Sequence, residues 1–232
     1  MSETRTVILL RHGRSTANTA GILAGHTEGV HLDEWGTNQA EKVATRLVDL
    51  KVSKIVSSPL ERCLETLAPL ARLTGLEIEI DADLAEVDYG TWTGRPLKDL
   101  ASEDLWKVVQ QHASAAVFPG GEGLAQVSAR AVAAVRRQLK NSPDPGPLVI
   151  CSHGDVIKAI VADALGLHLD AFQRIHVAPA SLSVVTYTAT RPIVERVNDS
   201  GDLTALLPAT ADSKTSSDGV PSTDGVVGGG SR

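Results

Sequence analysis

Apolar positions follow two rhythms along this chain, and the switches between them mark its elements. Val7-Ile8-Leu9-Leu10 is an unbroken apolar run, the pattern of a strand covered on both faces. Leu148-Val149-Ile150-Cys151 repeats it far downstream. Lys54-Ile55-Val56-Ser57-Ser58 is a shorter strand with a polar end, and Glu77-Ile78-Glu79-Ile80 alternates as a half-exposed edge strand does. Residues 182–187 and 193–197 read as two more strands around a Thr190-Arg191-Pro192 turn. Spacings of three and four predict helices in between. Residues 32–50 carry Ala40, Val43, Ala44, Leu47 and Leu50 on one face. Residues 59–74 begin at Pro59, carry Cys63, Leu64, Leu67 and Leu70, and stop at Gly75. Residues 97–111, 122–140 and 155–165 complete the helical set, the last ended by Gly166. Residues 19–33, rich in Gly, Thr and His, read as a loop, as does the glycine-punctuated segment 84–94.

Strands alternating with helices, without internal repeats, predict a three-layer α/β/α sandwich. At 42% hydrophobic and only 3% aromatic, its core must be built from Val, Leu, Ile and Ala. The character changes near Pro208: the remainder lacks aromatic residues and is rich in Ser, Thr, Asp and Gly. Residues 1–207 are therefore expected to form one domain and 208–232 a disordered tail. A net charge of −6 argues against nucleic-acid and anionic-membrane partners, because it supplies no basic face. No apolar run approaches a membrane span and no signal region opens the chain, so the expected location is cytoplasmic. Cys63 and Cys151 have no disulfide or metal spacing and read as buried reduced thiols. Monomer and homodimer are both compatible with the pattern.

The two buried runs share an ending. The first stops in Arg11-His12-Gly13, the second in Ser152-His153-Gly154. Open α/β sheets bind ligands beyond the carboxyl ends of their strands, so these endings predict two imidazoles on either side of one bound group. Neutral imidazole is a competent nucleophile towards phosphorus, giving a covalent phosphohistidine. Neighbouring guanidinium groups disfavour a second positive charge on the ring and so keep it neutral. The same guanidiniums bind phosphoryl oxygens bidentately and stabilise the transferring group.

Arg11-His12-Gly13 at the end of the first strand resembles the signature of the histidine phosphatase superfamily, in its phosphoglycerate mutase-like branch. Three further stretches agree in order: Ser57 through Thr66, Leu84 through Gly94, and Ser152-His153-Gly154. The resemblance implies a phosphoglycerate mutase-like fold with a mostly parallel central sheet, no cofactor and no metal. It implies His12 as the nucleophile, and Arg11, Arg62 and His153 as the grip on the phosphate. Glu86 corresponds to the general acid and base, while Asn18 and Gly25 fall where the family's loop meets substrate. Asp155 and Asp88 are rival proton donors, although Asp155 reads better as the cap of the helix that follows. Trp92 reads as a packing anchor, and Lys158 and Arg174 as rim or solvated surface residues. Arg14 stands where the mutases carry glutamate, and the mutase elements after the glutamate, with their paired arginines, are missing. A metal-independent phosphatase acting on a small phosphorylated substrate is therefore favoured. A phosphomutase, a phosphate-binding module without turnover and a metallohydrolase are the alternatives.

Overall fold

Alternation along the central strands divides the core between two faces. A computed structural model describes residues 4–142 and 146–201; the expected tail at 208–232 and the end of the expected domain at 202–207 lie outside the described residues. The strands are β1 (Arg5–Arg11), β2 (Lys54–Ser57), β3 (Ile78–Ile80), β4 (Leu148–Ser152), β5 (Leu182–Tyr187) and β6 (Pro192–Asp199). They form one sheet in the order β3-β2-β4-β1-β5-β6. Strands β3, β2, β4 and β1 run parallel, while β5 and β6 join antiparallel. The helices are α1 (Thr16–Ala20), α2 (Glu34–Leu47), α3 (Glu61–Thr74), α4 (Leu97–Leu100), α5 (Asp104–Gln111), α6 (Leu124–Lys140) and α7 (Gly154–Leu165).

Val7 and Leu9 of β1, with Leu148 and Ile150 of β4, pack against Val127, Ala131 and Ala134 of α6 and Ile157 and Ile160 of α7. Ile8, Leu10 and Val149 face the other way, onto Val43, Ala44 and Leu47 of α2 and Leu67 and Leu70 of α3. Each Val, Leu or Ile so placed contributes about 2 kcal/mol by leaving water, which is why both faces must be covered. No described helix is long and apolar enough to cross a membrane.

The same alternation positions the chemistry. Arg11 continues the Val7 and Leu9 face, towards α7, and Ser152 continues the Leu148 and Ile150 face. Arg11 pairs with Ser152 in register, and the His12 amide donates to the Ser152 carbonyl at 3.0 Å. Two strand ends are thereby locked level, and each is followed by a histidine.

Three local expectations are corrected. The expected loop at 19–33 is preceded and entered by α1, because Ser15 and Asn18 form a reciprocal cap at its start. The expected helix at 97–111 is two helices, α4 and α5; the Ser102 hydroxyl and amide both bond the Asp99 carbonyl, closing a turn that competes with a continuing helix. Asp155 does not cap α7: His153 holds the cap position without a side-chain bond to the helix, and Asp155 lies buried in the first turn.

The segment after His12 rests directly on α2. A Cβ on Gly36 would lie 2.0 Å from the Arg14 carbonyl oxygen, and one on Gly13 would lie 2.7 Å from the Gly36 oxygen. Gly36→Ala is expected to cost about 3 kcal/mol, since only backbone can give way. Gly29→Ala has open space but a left-handed backbone (φ +71°), and should cost only about 1 kcal/mol. Urea denaturation of the two variants compares them; equal costs would show that the α2 contact does not constrain the loop.

Candidate active site

His12 projects from the end of β1 and is almost completely buried. Its Nδ1 lies 2.7 Å from the Gly13 carbonyl oxygen. A carbonyl only accepts, so Nδ1 carries the proton and Nε2 keeps its lone pair. Burial holds the ring well below the usual histidine pKa, helped by Arg62 and then Arg11, while the bond to Gly13 opposes. A neutral imidazole with a fixed tautomer is the result.

Across from it, at a ring separation of 5.2 Å, is His153. Arg62 Nη2 donates to His153 Nδ1 at 3.2 Å, so the proton sits on Nε2 and reaches Ser58 Oγ at 2.7 Å. Burial first, then Arg62, His12 and Arg11, keeps this second ring neutral as well. Arg62 enters from the first turn of α3. Its Nη2 also donates to the Gly25 carbonyl at 2.9 Å. Its Nη1 is buried without a hydrogen-bond partner among the described residues. A buried guanidinium N–H without a protein acceptor is costly, and an anion is the natural group to accept from it.

Arg11 is placed differently from the expected grip. Its Nη1 donates to the Val177 carbonyl at 2.7 Å, and burial lowers its pKa only to about 10, so it remains charged. Glu86 Oε1 accepts from the Val87 amide at 3.0 Å, and Oε2 stands 3.8 Å from His153 Nδ1. Burial raises the Glu86 pKa most and Asp155 raises it further, against the pull of Arg62, Val87 and Arg11. A carboxyl that resists ionisation beside a nucleophilic ring is suited to giving up a proton during a reaction.

One cavity collects much of this set. It is lined by His12, Asn18, Gly25, Arg62, Glu86 and Tyr89, with Ser15, Ala24 and the apolar Ile22, Leu23 and Leu97. Arg11 and His153 sit behind that wall rather than in it. Asn18 reaches the cavity while its Oδ1 caps α1, and Gly25 adopts a left-handed turn (φ +50°) that aims its carbonyl at Arg62. Of the rival donors, Asp88 is bonded to the Gly90 amide and Asp155 to the Tyr89 hydroxyl; neither lines the cavity. Trp92 is a packing anchor against Trp106 and Phe118. Arg174 is exposed, as one of its two readings had it, but Lys158 is corrected: it is buried and paired with Asp155 at 3.2 Å. Among the described residues, no group of three or more His, Cys, Asp or Glu is arranged to hold a metal ion.

Sequence reasoning missed the clamp on the Glu86 loop. Arg130 of α6 donates to the carbonyls of Asp83, Ala85 and Glu86 and pairs with Glu122 at 2.8 Å. Glu122 in turn accepts from the Asp88 amide, and His26 Nε2 donates to the Glu86 carbonyl at 2.6 Å. The Gly-rich loop at 84–94 was the available signal: such a loop beside a catalytic position needs something to fix it.

Parallel strands, helices on both faces and a pocket at the strand ends with an unpartnered guanidinium N–H define an α/β architecture suited to an anionic ligand. Comparison gives the class a family. The profile of the histidine phosphatase superfamily (branch 1) matches residues 7–200, and the chain belongs to that superfamily. It is 31% identical over 204 residues to the protein of Photorhabdus laumondii named "Probable phosphoglycerate mutase GpmB", covering 86% of this chain and 94% of that one. The solved mycobacterial glucosyl-3-phosphoglycerate phosphatase in complex with VO3 is similar at 27% identity and a TM-score of 0.78, over 84% of this chain and 99% of that one. An Entamoeba histolytica phosphoserine phosphatase shares the fold at 23% identity and a TM-score of 0.75, over 84% of this chain and 98% of that one.

The neutral His12 has a consequence for stability. Its pKa is lower folded than unfolded, so the unfolded chain alone takes up a proton as pH falls below about 6.5. The stability it supports is complete above that pH and is lost below it. Glu86 and His31, whose pKa values are raised, act in the opposite direction, so the difference between proteins is the useful quantity. Between pH 6.5 and 5, His12→Gln should remove about 1.4 kcal/mol per pH unit of acid destabilisation. Urea midpoints across that window test this, and parallel curves for parent and variant would refute a neutral buried ring.

Proposed function

We propose that the protein is a metal-independent phosphomonoesterase working through a phosphohistidine at His12. The observation carrying this reading is the convergence, in one cavity, of the His12 Nε2 lone pair, a partnerless buried Arg62 Nη1 and the Glu86 carboxyl, whose pKa burial raises. A phosphoryl oxygen bonded to Arg62 Nη1 brings phosphorus to the open nitrogen of His12. The N–P bond forms as the ester P–O bond breaks, and Glu86 gives its proton to the leaving oxygen. Water then attacks phosphorus, Glu86 takes back a proton, and the N–P bond breaks to release phosphate. Arg62 and the field of Arg11 stabilise charge in both steps. His153 keeps Arg62 oriented through its 3.2 Å contact.

The rest of the cavity supports hydrolysis over mutase chemistry. Beyond the phosphoryl grip its wall is Ile22, Leu23, Ala24 and Leu97, and Arg62 is the cation among the lining residues. Nearby Arg95 is tied to Glu103 at 2.7 Å and Arg130 to Glu122. A bisphosphate or a phosphoglycerate needs a second cationic hold, and this wall offers apolar contact instead. Substrates are therefore small phosphomonoesters with a largely uncharged alcohol part. The likeness to a protein named as a mutase keeps phosphoryl exchange as the second reading. The two free buried thiols, Cys63 and Cys151, fit the expected cytoplasmic location.

Phosphate release from an alkyl phosphate in the presence of EDTA tests the reading. His12→Ala should lower it at least about a thousandfold. Glu86→Gln should lower kcat/KM for the alkyl ester about a hundredfold or more, and far less for p-nitrophenyl phosphate, whose leaving group needs no proton. Activity abolished by EDTA, or retained in His12→Ala, would overturn the assignment. Exchange that appears only with a bisphosphate primer would replace it with the mutase.

A further inference from the structure

The loop at 21–33 is fastened to two walls of the cavity, and one of its bonds does more than hold it down. At its start it is joined to the far end of the Glu86 loop: the Leu23 amide donates to the Arg95 carbonyl at 3.0 Å, and the Gly94 amide to the Leu23 carbonyl at 2.8 Å. Further on it is joined to α3, where Glu61 Oε1 accepts from the Gly29 amide at 3.1 Å and Glu65 Oε2 from the Leu32 amide at 2.8 Å. Between these attachments lie Gly25 and His26. The Gly25 carbonyl accepts from Arg62 Nη2 at 2.9 Å, and His26 Nε2 donates to the carbonyl of Glu86 itself at 2.6 Å. Two consecutive residues thus hold opposite sides of one cavity, since Arg62 and Glu86 both line it. His26 is exposed and does not line the cavity.

The connection between the two bonds is stiff. The Gly25 carbonyl belongs to the planar peptide unit that ends at the His26 Cα, so fixing His26 also aims the oxygen that Arg62 binds. Gly25 itself is held in a left-handed turn (φ +50°), and a Cβ there would lie 2.8 Å from Thr93 Oγ1 and 3.3 Å from the Tyr89 ring. Arg130 bonds the Glu86 carbonyl too, at 3.0 Å, but it ties the acid to α6, whereas His26 ties it to the loop that holds Arg62. We propose that His26 is a positioning residue: its bond to the Glu86 carbonyl sets the distance between the general acid and the Arg62 N–H that takes the phosphoryl group. The inference rests on Glu86 being the general acid. Proton transfer to a leaving oxygen depends steeply on placement, and a displacement of about 1 Å costs about a hundredfold. A guanidinium that grips a phosphoryl oxygen through charge and hydrogen bonding tolerates more. Loss of the His26 bond therefore acts on esters whose leaving oxygen needs a proton and spares those whose leaving oxygen does not.

The test compares kcat/KM for an alkyl phosphate and for p-nitrophenyl phosphate in the parent, His26→Leu, His26→Gln and Glu65→Ala. Leucine removes the donor. Glutamine offers an amide N–H at a reach close to that of Nε2. Glu65→Ala releases the loop from α3 without touching the His26 bond, so it reports general loosening. His26→Leu should lower the alkyl-to-aryl ratio about tenfold. Glutamine should restore most of it, and Glu65→Ala should leave it at the parental value. In a Glu86→Gln background His26→Leu should lower the ratio no further, because the residue acts through the acid. A ratio unchanged in His26→Leu, the same loss in Glu65→Ala, no recovery with glutamine, or additive losses in the double variant would each overturn the proposal. Glu86→Gln alone separates the two levels. An unaltered ratio there removes the Glu86 assignment itself, and this inference with it. An altered ratio there with an unmoved His26→Leu removes only the role of His26.

Discussion

Two guanidinium groups buried at the ends of parallel strands are the constraint on which this structure depends. Charge without water is tolerated only where hydrogen bonds and counter-charges replace the lost hydration. Arg11 is compensated by the Val177 carbonyl and the field of Glu86 and Asp155, and Arg62 by the Gly25 carbonyl and His153. The two arginines on β1 and α3 thus draw partners from the α1–α2 connection, the Glu86 loop, the start of α7 and the segment before β5. Most of the fold is thus recruited to one site. The two histidines are held neutral by burial first and then by the neighbouring guanidiniums.

Rigidity follows from that density of bonds. The Glu86 carbonyl accepts from both His26 and Arg130, while its carboxyl accepts from Val87. Glu86 is therefore fixed chiefly through its backbone, with Oε1 alone tied down by a main-chain amide. On the opposite side, the glycines at 13 and 36 bring the loop after His12 into contact with α2 at distances no side chain would permit. Both restraints set dipoles in place beforehand, the condition the proposed electrostatic catalysis needs.

Much of this was legible in the residues. The unbroken runs at Val7 and Leu148 were read as buried strands, and their shared His-Gly endings predicted two facing imidazoles; the register of Arg11 with Ser152 brings them together. Edge strand β3 was visible in its alternation, and the superfamily in four short motifs. The failures share one cause. Lys158 and Asp155 look like surface residues at the start of a helix, because a linear pattern does not show that α7 is covered by Phe172 and Tyr89. Arg130 lies in the apolar rhythm of α6 as an ordinary polar position, and only the folded loop gives it three carbonyls to bind. Long-range polar pairings carry no periodicity, so sequence spacing is silent about them.

The Arg11 position shows how strand alternation divides labour between two neighbouring cations. Strand alternation sends Arg11 to the α7 face, behind the cavity, while Arg62 reaches the cavity from the α3 side. One guanidinium is left with an N–H open to a ligand, and the other acts through its field. An arginine at both positions is then not redundancy. In the proposed reaction the open N–H takes a phosphoryl oxygen, while the enclosed charge depresses the basicity of His12 whether or not the cavity is filled. A lysine in place of Arg62 would keep the charge but lose the planar fork that holds Gly25 and His153 while presenting a further N–H. The geometry of the site therefore follows from the shape of a guanidinium as much as from its charge.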